Sequence, residues 1–183
     1  MIQVRNDVFE TNSSSAHTIA VKNNDEYDYD LKWFVNEDGI FELWSTSELD
    51  FGRSPFDVLC RTYEKIPYFI ASYGFKTITK IIKENIPEIK AFKKPQIDKR
   101  WDDPDLKQGI DHQSVGMLQH FIEKNNLTIE EALFNNKYII IIDGDEYNTW
   151  GKMINCGLIN TNNLEDLGKN SYFDGDSYDT DTE

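Results

Sequence analysis

The sequence predicts a single α+β domain with a mixed or antiparallel sheet, helices packed on it and a flexible acidic C-terminal tail. Three observations predict this class. Tyr138 to Ile142 reads Y-I-I-I-I between Lys137 and Asp143, a continuous apolar run of the kind a strand buried on both faces requires. Apolar residues recur at helical spacing elsewhere, as in Ile78, Ile81 and Ile82 or Met117, Leu118, Phe121 and Ile122. The chain has 183 residues, 13% of them aromatic, which suffices for one buried core despite a mean hydropathy of -0.60. The domain is assigned to residues 1–170 and the tail to residues 171–183.

In chain order, Ile2 to Phe9 and His17 to Val21 alternate as strands do. Leu31 to Val35 and Gly39 to Trp44 flank Asn36-Glu37-Asp38-Gly39, a hairpin signal in which glycine supplies the positive φ. Ser54-Pro55 is a helix start, with Phe56, Leu59, Cys60 and Tyr63 on one face. Pro67 kinks or ends that helix, and Tyr68 to Tyr73 continues as helix up to Gly74. A helix over Lys76 to Glu84 stops at Asn85-Ile86-Pro87, and residues 88–110 read as a long loop. Ser114 is a helix cap, and Thr128 with Glu131 forms a capping-box pattern. Tyr147 to Cys156 reads as a short helix closed by Gly157. The longest apolar run is too short to cross a bilayer and no apolar leader opens the chain, so a soluble intracellular protein is expected. Cys60 and Cys156 have no nearby partner in sequence, so both are expected to be reduced, buried, small apolar residues.

Charge is distributed unevenly. The chain carries 33 acidic and 19 basic residues, a net charge of -14, which repels nucleic acid and attracts basic proteins. Asp25, Glu26, Asp28 and Asp30 alternate with Tyr27 and Tyr29, and the tail repeats the pattern with Asp174, Asp176, Asp179 and Asp181 beside Tyr172, Phe173 and Tyr178. Such runs are solvated faces or, with aromatics standing in for bases, imitations of a phosphate backbone. Against this background Lys90, Lys93, Lys94, Lys99 and Arg100 crowd next to Trp101, a candidate nucleic-acid-binding patch or a solvated loop.

Two polar constellations carry chemistry. Residues 9–17 read F-E-T-N-S-S-S-A-H, in which Ser13, Ser14 and Ser15 offer hydroxyls for a phosphate beside the His17 imidazole. A polar turn with backbone-capping hydroxyls is the competing reading. The second is Asp111-His112-Gln113-Ser114, just before a helix, where Ser114 is a further candidate for holding phosphate. His17, His112 and Asp111 are the candidate catalytic residues, and His120 reads as structural or surface. Asp111, His112, Asp143 and Asp145 are conceivable metal ligands, but no spacing fixes a site, so neither metal nor cofactor is assigned.

The opening R-N-x-V-F-E-T-N-S-S-S-x-H, the D-H-Q-S and the run K-Y-I-I-I-I-D-G-D-E-Y resemble a group of proteins encoded by tailed phages and mobile elements of low-GC bacteria. The resemblance spans about residues 3–21 and 109–147, with a weaker stretch around Leu49 to Tyr73. It implies an anti-defence protein in the host bacterial cytoplasm, similar to inhibitors of type II CRISPR effector nucleases. Its partners would be such a basic host nuclease and its guide RNA. Three readings follow. A metal-free two-histidine site would cleave or trim guide RNA. A non-catalytic acidic protein would occupy a nucleic-acid channel. An ADP-ribosyltransferase-like enzyme would draw on Arg5, Ser45-Thr46-Ser47 and Asp143-x-Asp145.

Overall fold

The apolar run becomes the central strand of a three-stranded sheet. The computed structural model describes residues 16–23, 25–42, 49–51, 57–94, 109–110, 114–143 and 154–158. Strand β1 (Ala16–Val21) and strand β3 (Asp57–Leu59) both pair antiparallel with β5 (Tyr138–Asp143), in the order β1-β5-β3. The register sets His17 opposite Ile142, and Val58 opposite Ile141. Alternation then divides the isoleucines. Ile140 and Ile142 join Leu59 and Ile19 in the main core, while Ile139 and Ile141 pack with Val58, Ala20, Cys156 and Leu158. Both faces of β5 are therefore covered, which accounts for its lack of apolar-polar alternation.

The main core is supplied by helices α1 (Thr62–Tyr73), α2 (Phe75–Asn85), α3 (Met117–Lys124) and α4 (Ile129–Phe134). A mixed α+β architecture is thus what the chain adopts. Glu64 starts α1, its carboxylate accepting the backbone N–H groups of Cys60 and Arg61 at 2.9 Å. Pro67 lies inside α1 without ending it, because Ile66 to Ala71 are all buried and their packing outweighs one missing hydrogen bond. Gly74, at φ +90°, ends α1 and starts α2 in a single residue, as its position after Tyr73 led one to expect. Ile78 and Ile82 are fully buried on α2. At α4, Thr128 Oγ1 accepts the Glu131 N–H and the Glu131 carboxylate accepts the Thr128 N–H, completing the expected capping box.

Several local expectations are corrected. Asp57 to Leu59 is strand rather than helix, and the helix starts at Thr62: pairing with Ile140 to Ile142 overrides the local start signal at Ser54-Pro55, which lies outside the described residues. Leu31 to Val35 forms a 3-10 turn at Lys32–Phe34 instead of a strand, leaving a single Val35–Phe41 bridge. Residues within the expected 88–110 loop form β4 (Ala91–Lys93), which pairs parallel with β2 (Ile40–Glu42). Gly116, at φ +83°, precedes α3, and Ser114 does not cap it.

Cys60 and Cys156 are joined in a disulfide, with Cα atoms 6.0 Å apart across 96 residues of sequence. That corrects the expectation of two separate thiols. Neither cysteine signals the other in sequence; the fold brings them together where β3 meets the segment covering the second sheet face. Ile2 to Phe9, most of the Tyr147 to Cys156 segment and the acidic tail lie outside the described residues.

Gly39 (φ +80°) shows how tightly the smaller sheet is joined. Its carbonyl accepts the N–H groups of Lys90 and Ala91, and a Cβ there would meet the Glu88 carbonyl oxygen at 3.0 Å. Gly39→Ala is expected to lose about 1–2 kcal/mol from the left-handed backbone alone, with the clash adding to it. Urea unfolding of wild type and variant measures this, and equal midpoints would refute it.

Candidate functional site

One residue of each polar constellation, His17 and Ser114, meets the other where β1 passes the segment leading into α3. His17 stands second in β1 on the face turned toward the helices, because its partner Ile142 faces the main core. The His17 backbone N–H donates to Ser114 Oγ at 3.2 Å, across 97 residues of sequence. Both residues are buried, at 7% and 5% exposure. Ser15 precedes His17 by two residues and His112 precedes Ser114 by two, so each polar segment adjoins this crossing in sequence.

Tyr68 of α1 completes the arrangement. Its hydroxyl and His17 Nδ1 share a hydrogen bond of 2.9 Å, the donor being set by the imidazole tautomer. The two rings meet edge-on with centroids 5.5 Å apart. Burial raises the phenol pKa far above its usual range, so the hydroxyl keeps its proton at any physiological pH. Phe51 also packs edge-on against Tyr68, with ring centroids 4.9 Å apart. Phe51 also bridges to Ile110, and its N–H donates to the Gly109 carbonyl. Gly109 and Ile110 are thus held at Phe51 and Ser114 at His17, the two residues whose rings meet the Tyr68 ring edge-on.

Of the residues singled out in sequence, His17 and Ser114 are brought together here. Ser13, Ser14, Ser15, Asp111 and His112 lie outside the described residues, as do Lys99, Arg100 and Trp101. Lys90, Lys93 and Lys94 are exposed on and beside β4, with Lys93 paired to Glu42 at 3.2 Å. His120 is exposed on α3, in keeping with the surface reading. Asp143 closes β5 opposite Ala16, whereas Arg5, Ser45 to Ser47 and Asp145 lie outside the described residues. Among the described residues no group of three His, Cys, Asp or Glu is placed to hold a metal ion. None of their helices is long and apolar enough to cross a membrane.

Two features escaped the sequence reading. Tyr68 reads there as one more apolar position of a helix; only its hydroxyl, which needs a partner when buried, hinted at a polar role. Lys65, of a type that is rarely buried, is fully buried, its ammonium donating to the carbonyls of Ala132 at 3.0 Å and Asn135 at 2.9 Å. Burial lowers its pKa to about 7, against the upward pull of Asp28 and Glu64. No protein-family model, curated protein or solved structure matches the chain.

Proposed function

We propose that the chain is an anti-defence protein of a phage or mobile element, acting in the host bacterial cytoplasm on the guide RNA of a nucleic-acid-guided nuclease. The observation that carries this reading is the His17 N–H to Ser114 Oγ hydrogen bond, which joins the serine-rich segment and the D-H-Q-S segment at one place. His17 follows Ser13, Ser14 and Ser15 in sequence and Ser114 follows Asp111 and His112, so the reading draws two imidazoles, a carboxylate and several hydroxyls from the neighbours of this contact.

The chemistry is metal-free phosphodiester transfer. One imidazole removes the proton from a ribose 2'-hydroxyl, whose oxygen forms a bond to phosphorus as the P–O5' bond breaks. The second imidazole protonates the departing O5'. His17 and His112 take these two roles, Asp111 supports His112, and Ser13, Ser14, Ser15 and Ser114 hold the phosphate. Tyr68 is a positioning residue: its neutral hydroxyl holds the His17 ring through Nδ1.

Guide RNA incubated with the nuclease and the protein in EDTA is expected to be shortened. His17→Ala and His112→Ala are each expected to slow this at least about tenfold. Tyr68→Phe is expected to shift the pH profile of cleavage while leaving RNA affinity unchanged. Intact RNA with the wild-type protein refutes the chemistry, and a His17→Ala variant that loses melting temperature but cleaves at the wild-type rate makes His17 structural.

A second reading rests on a different surface. Tyr27 and Tyr29 stack with ring centroids 6.1 Å apart and are 46% and 41% exposed, and Trp33 nearby in sequence is 88% exposed. Glu26 and Asp30 are exposed among them. An acidic surface bearing bare aromatic rings suits a basic groove that ordinarily holds nucleic acid. Full inhibition by His17→Ala with intact guide RNA, abolished by Trp33→Ala, would select this non-catalytic mode.

A further inference from the structure

Lysines that stand apart in sequence share one face of the fold. On α2, Lys76, Lys80 and Lys83 follow each other at four and three residues, so they form a single exposed stripe. The rings of Phe75 on α2 and Phe92 on β4 meet edge-on with centroids 6.4 Å apart. Lysines interlock across that joint: Lys83 Nζ lies 5.9 Å from the Phe92 centroid, and Lys94 Nζ lies 5.8 Å from the Phe75 centroid. Lys90, two residues before Phe92, extends the same surface on the β4 side, while Lys93 alternates to the other face and pairs with Glu42. Residues 76–94 hold six lysines and two glutamates, Glu84 and Glu88, a local charge of +4 in a chain of net charge -14. Two ion pairs nearby, Lys80 with Glu84 at 3.8 Å and Lys93 with Glu42, are solvent-exposed and so weak enough for a ligand to displace.

We propose that the α2–β4 lysine face binds the sugar-phosphate backbone of single-stranded RNA, with Lys76, Lys80 and Lys83 as contacts in addition to Lys90 and Lys94. The helical rise sets the three α2 lysines about 6 and 4.5 Å apart along the axis, within reach of successive phosphates for long side chains. Acidic groups farther than a Debye length of about 8 Å are largely screened at physiological salt, so the ridge acts despite the negative total. Phe75 and Phe92 are half-buried and covered by lysines, so the face lacks an open stacking platform. Binding is therefore sequence-independent and driven by counterion release. A bilayer suits the face less well, because the large exposed apolar residues Tyr27, Tyr29, Trp33 and Val115 lie on other segments.

The test is fluorescence anisotropy of a labelled single-stranded RNA between about 50 and 200 mM salt. Each phosphate contact contributes about -0.7 to the slope of log K against log salt. Replacing Lys76, Lys80 and Lys83 together by Gln is expected to reduce the slope by about 2 and weaken binding at least about tenfold at the low-salt end. The melting temperature should fall by no more than a few degrees, since all three side chains are exposed and the Lys80–Glu84 pair and the Lys83–Phe92 contact are weak at the surface. Equal affinity and slope in the variant overturn the proposal. So does tighter binding to phosphatidylserine vesicles than to RNA, lost in the same variant. The inference rests on the proposed function only for the class of ligand. RNA binding that needs the lysines, with guide RNA left intact, keeps the ridge and removes the His17 chemistry. Shortened guide RNA with variant binding unchanged does the reverse.

Discussion

Replacing Lys65 by Met is expected to destabilise the protein by about 3 kcal/mol near neutral pH, since each buried acceptor left without its donor costs roughly 1–3 kcal/mol. The lysine reaches from α1 to carbonyls of Ala132 and Asn135 at the end of α4, with that of Tyr138 at the start of β5 at 3.5 Å. Methionine fills similar space but donates nothing. The loss is a large share of the total of about 5–15 kcal/mol typical of a domain. A pH dependence accompanies it. The folded pKa of Lys65 is lowered to about 7 from the ordinary 10.5. Between these values the unfolded chain binds the extra proton, so this group's contribution to stability rises with pH, by up to about 1.4 kcal/mol per pH unit. Below about pH 7 both states are protonated and the rise stops. Urea titrations of wild type and Lys65→Met from pH 6 to 9 should therefore show a stability difference that widens above pH 7. A difference that stays constant over that range would show that Lys65 holds its proton in the folded state as it does in water.

Reduction of the Cys60–Cys156 bond is the second large effect. Closing a loop of 96 residues lowers the entropy of the unfolded chain by an amount worth about 4–5 kcal/mol in the chain-entropy account. The bond also holds Cys156 and Leu158 over Ala20, Val58, Ile139 and Ile141, and Lys22 Nζ donates to the Cys156 carbonyl at 2.7 Å. Without the bond that cover rests on the Lys22 contact and a few apolar neighbours. The wild-type protein is expected to lose roughly 10–20 °C of melting temperature in dithiothreitol, the scale expected when a domain of this size loses several kcal/mol. A Cys60→Ala/Cys156→Ala variant should melt at the reduced wild-type temperature and ignore the reductant. Two alkylatable thiols in the untreated protein would refute the bond. The same alkylation in a glutathione buffer of cytosolic poise reads whether it persists in the proposed compartment.

What could be read from residues alone follows the range of the interaction involved. The Tyr138 to Ile142 strand, the Gly74 stop and the Thr128–Glu131 box are written within a few neighbours, and the structure reproduces them. Asp57 to Leu59 misled because its strand identity comes from β5, some eighty residues away, while a helix signal stood next to it. The parallel β2–β4 pair and the disulfide are non-local in the same way. At the site, His17 and Ser114 stood out by chemistry, but their contact depended on a crossing of distant segments. Tyr68 and Lys65 were hidden by their types: one passes for core and the other for surface. The α2 stripe was available in the spacing of Lys76, Lys80 and Lys83, but its continuity with β4 required the Phe75–Phe92 contact.

Strand order carries a consequence for biosynthesis. β1 is made early and β5 late, yet β5 is the strand to which both β1 and β3 are bonded. Ala16 meets Asp143, so the sheet closes only after more than a hundred intervening residues have left the ribosome. At about 5–20 residues per second the β1 segment waits on the order of ten seconds for β5, its partner among the described strands. The α1–α2 pair, joined through Gly74 alone, needs no such wait and can dock as soon as it emerges. A nascent chain would therefore carry a formed helical hairpin and a β1 segment not yet paired with β5. During that interval chaperone capture or pairing with a neighbouring nascent chain competes with native closure, and slowing translation before codon 138 should lower the soluble yield.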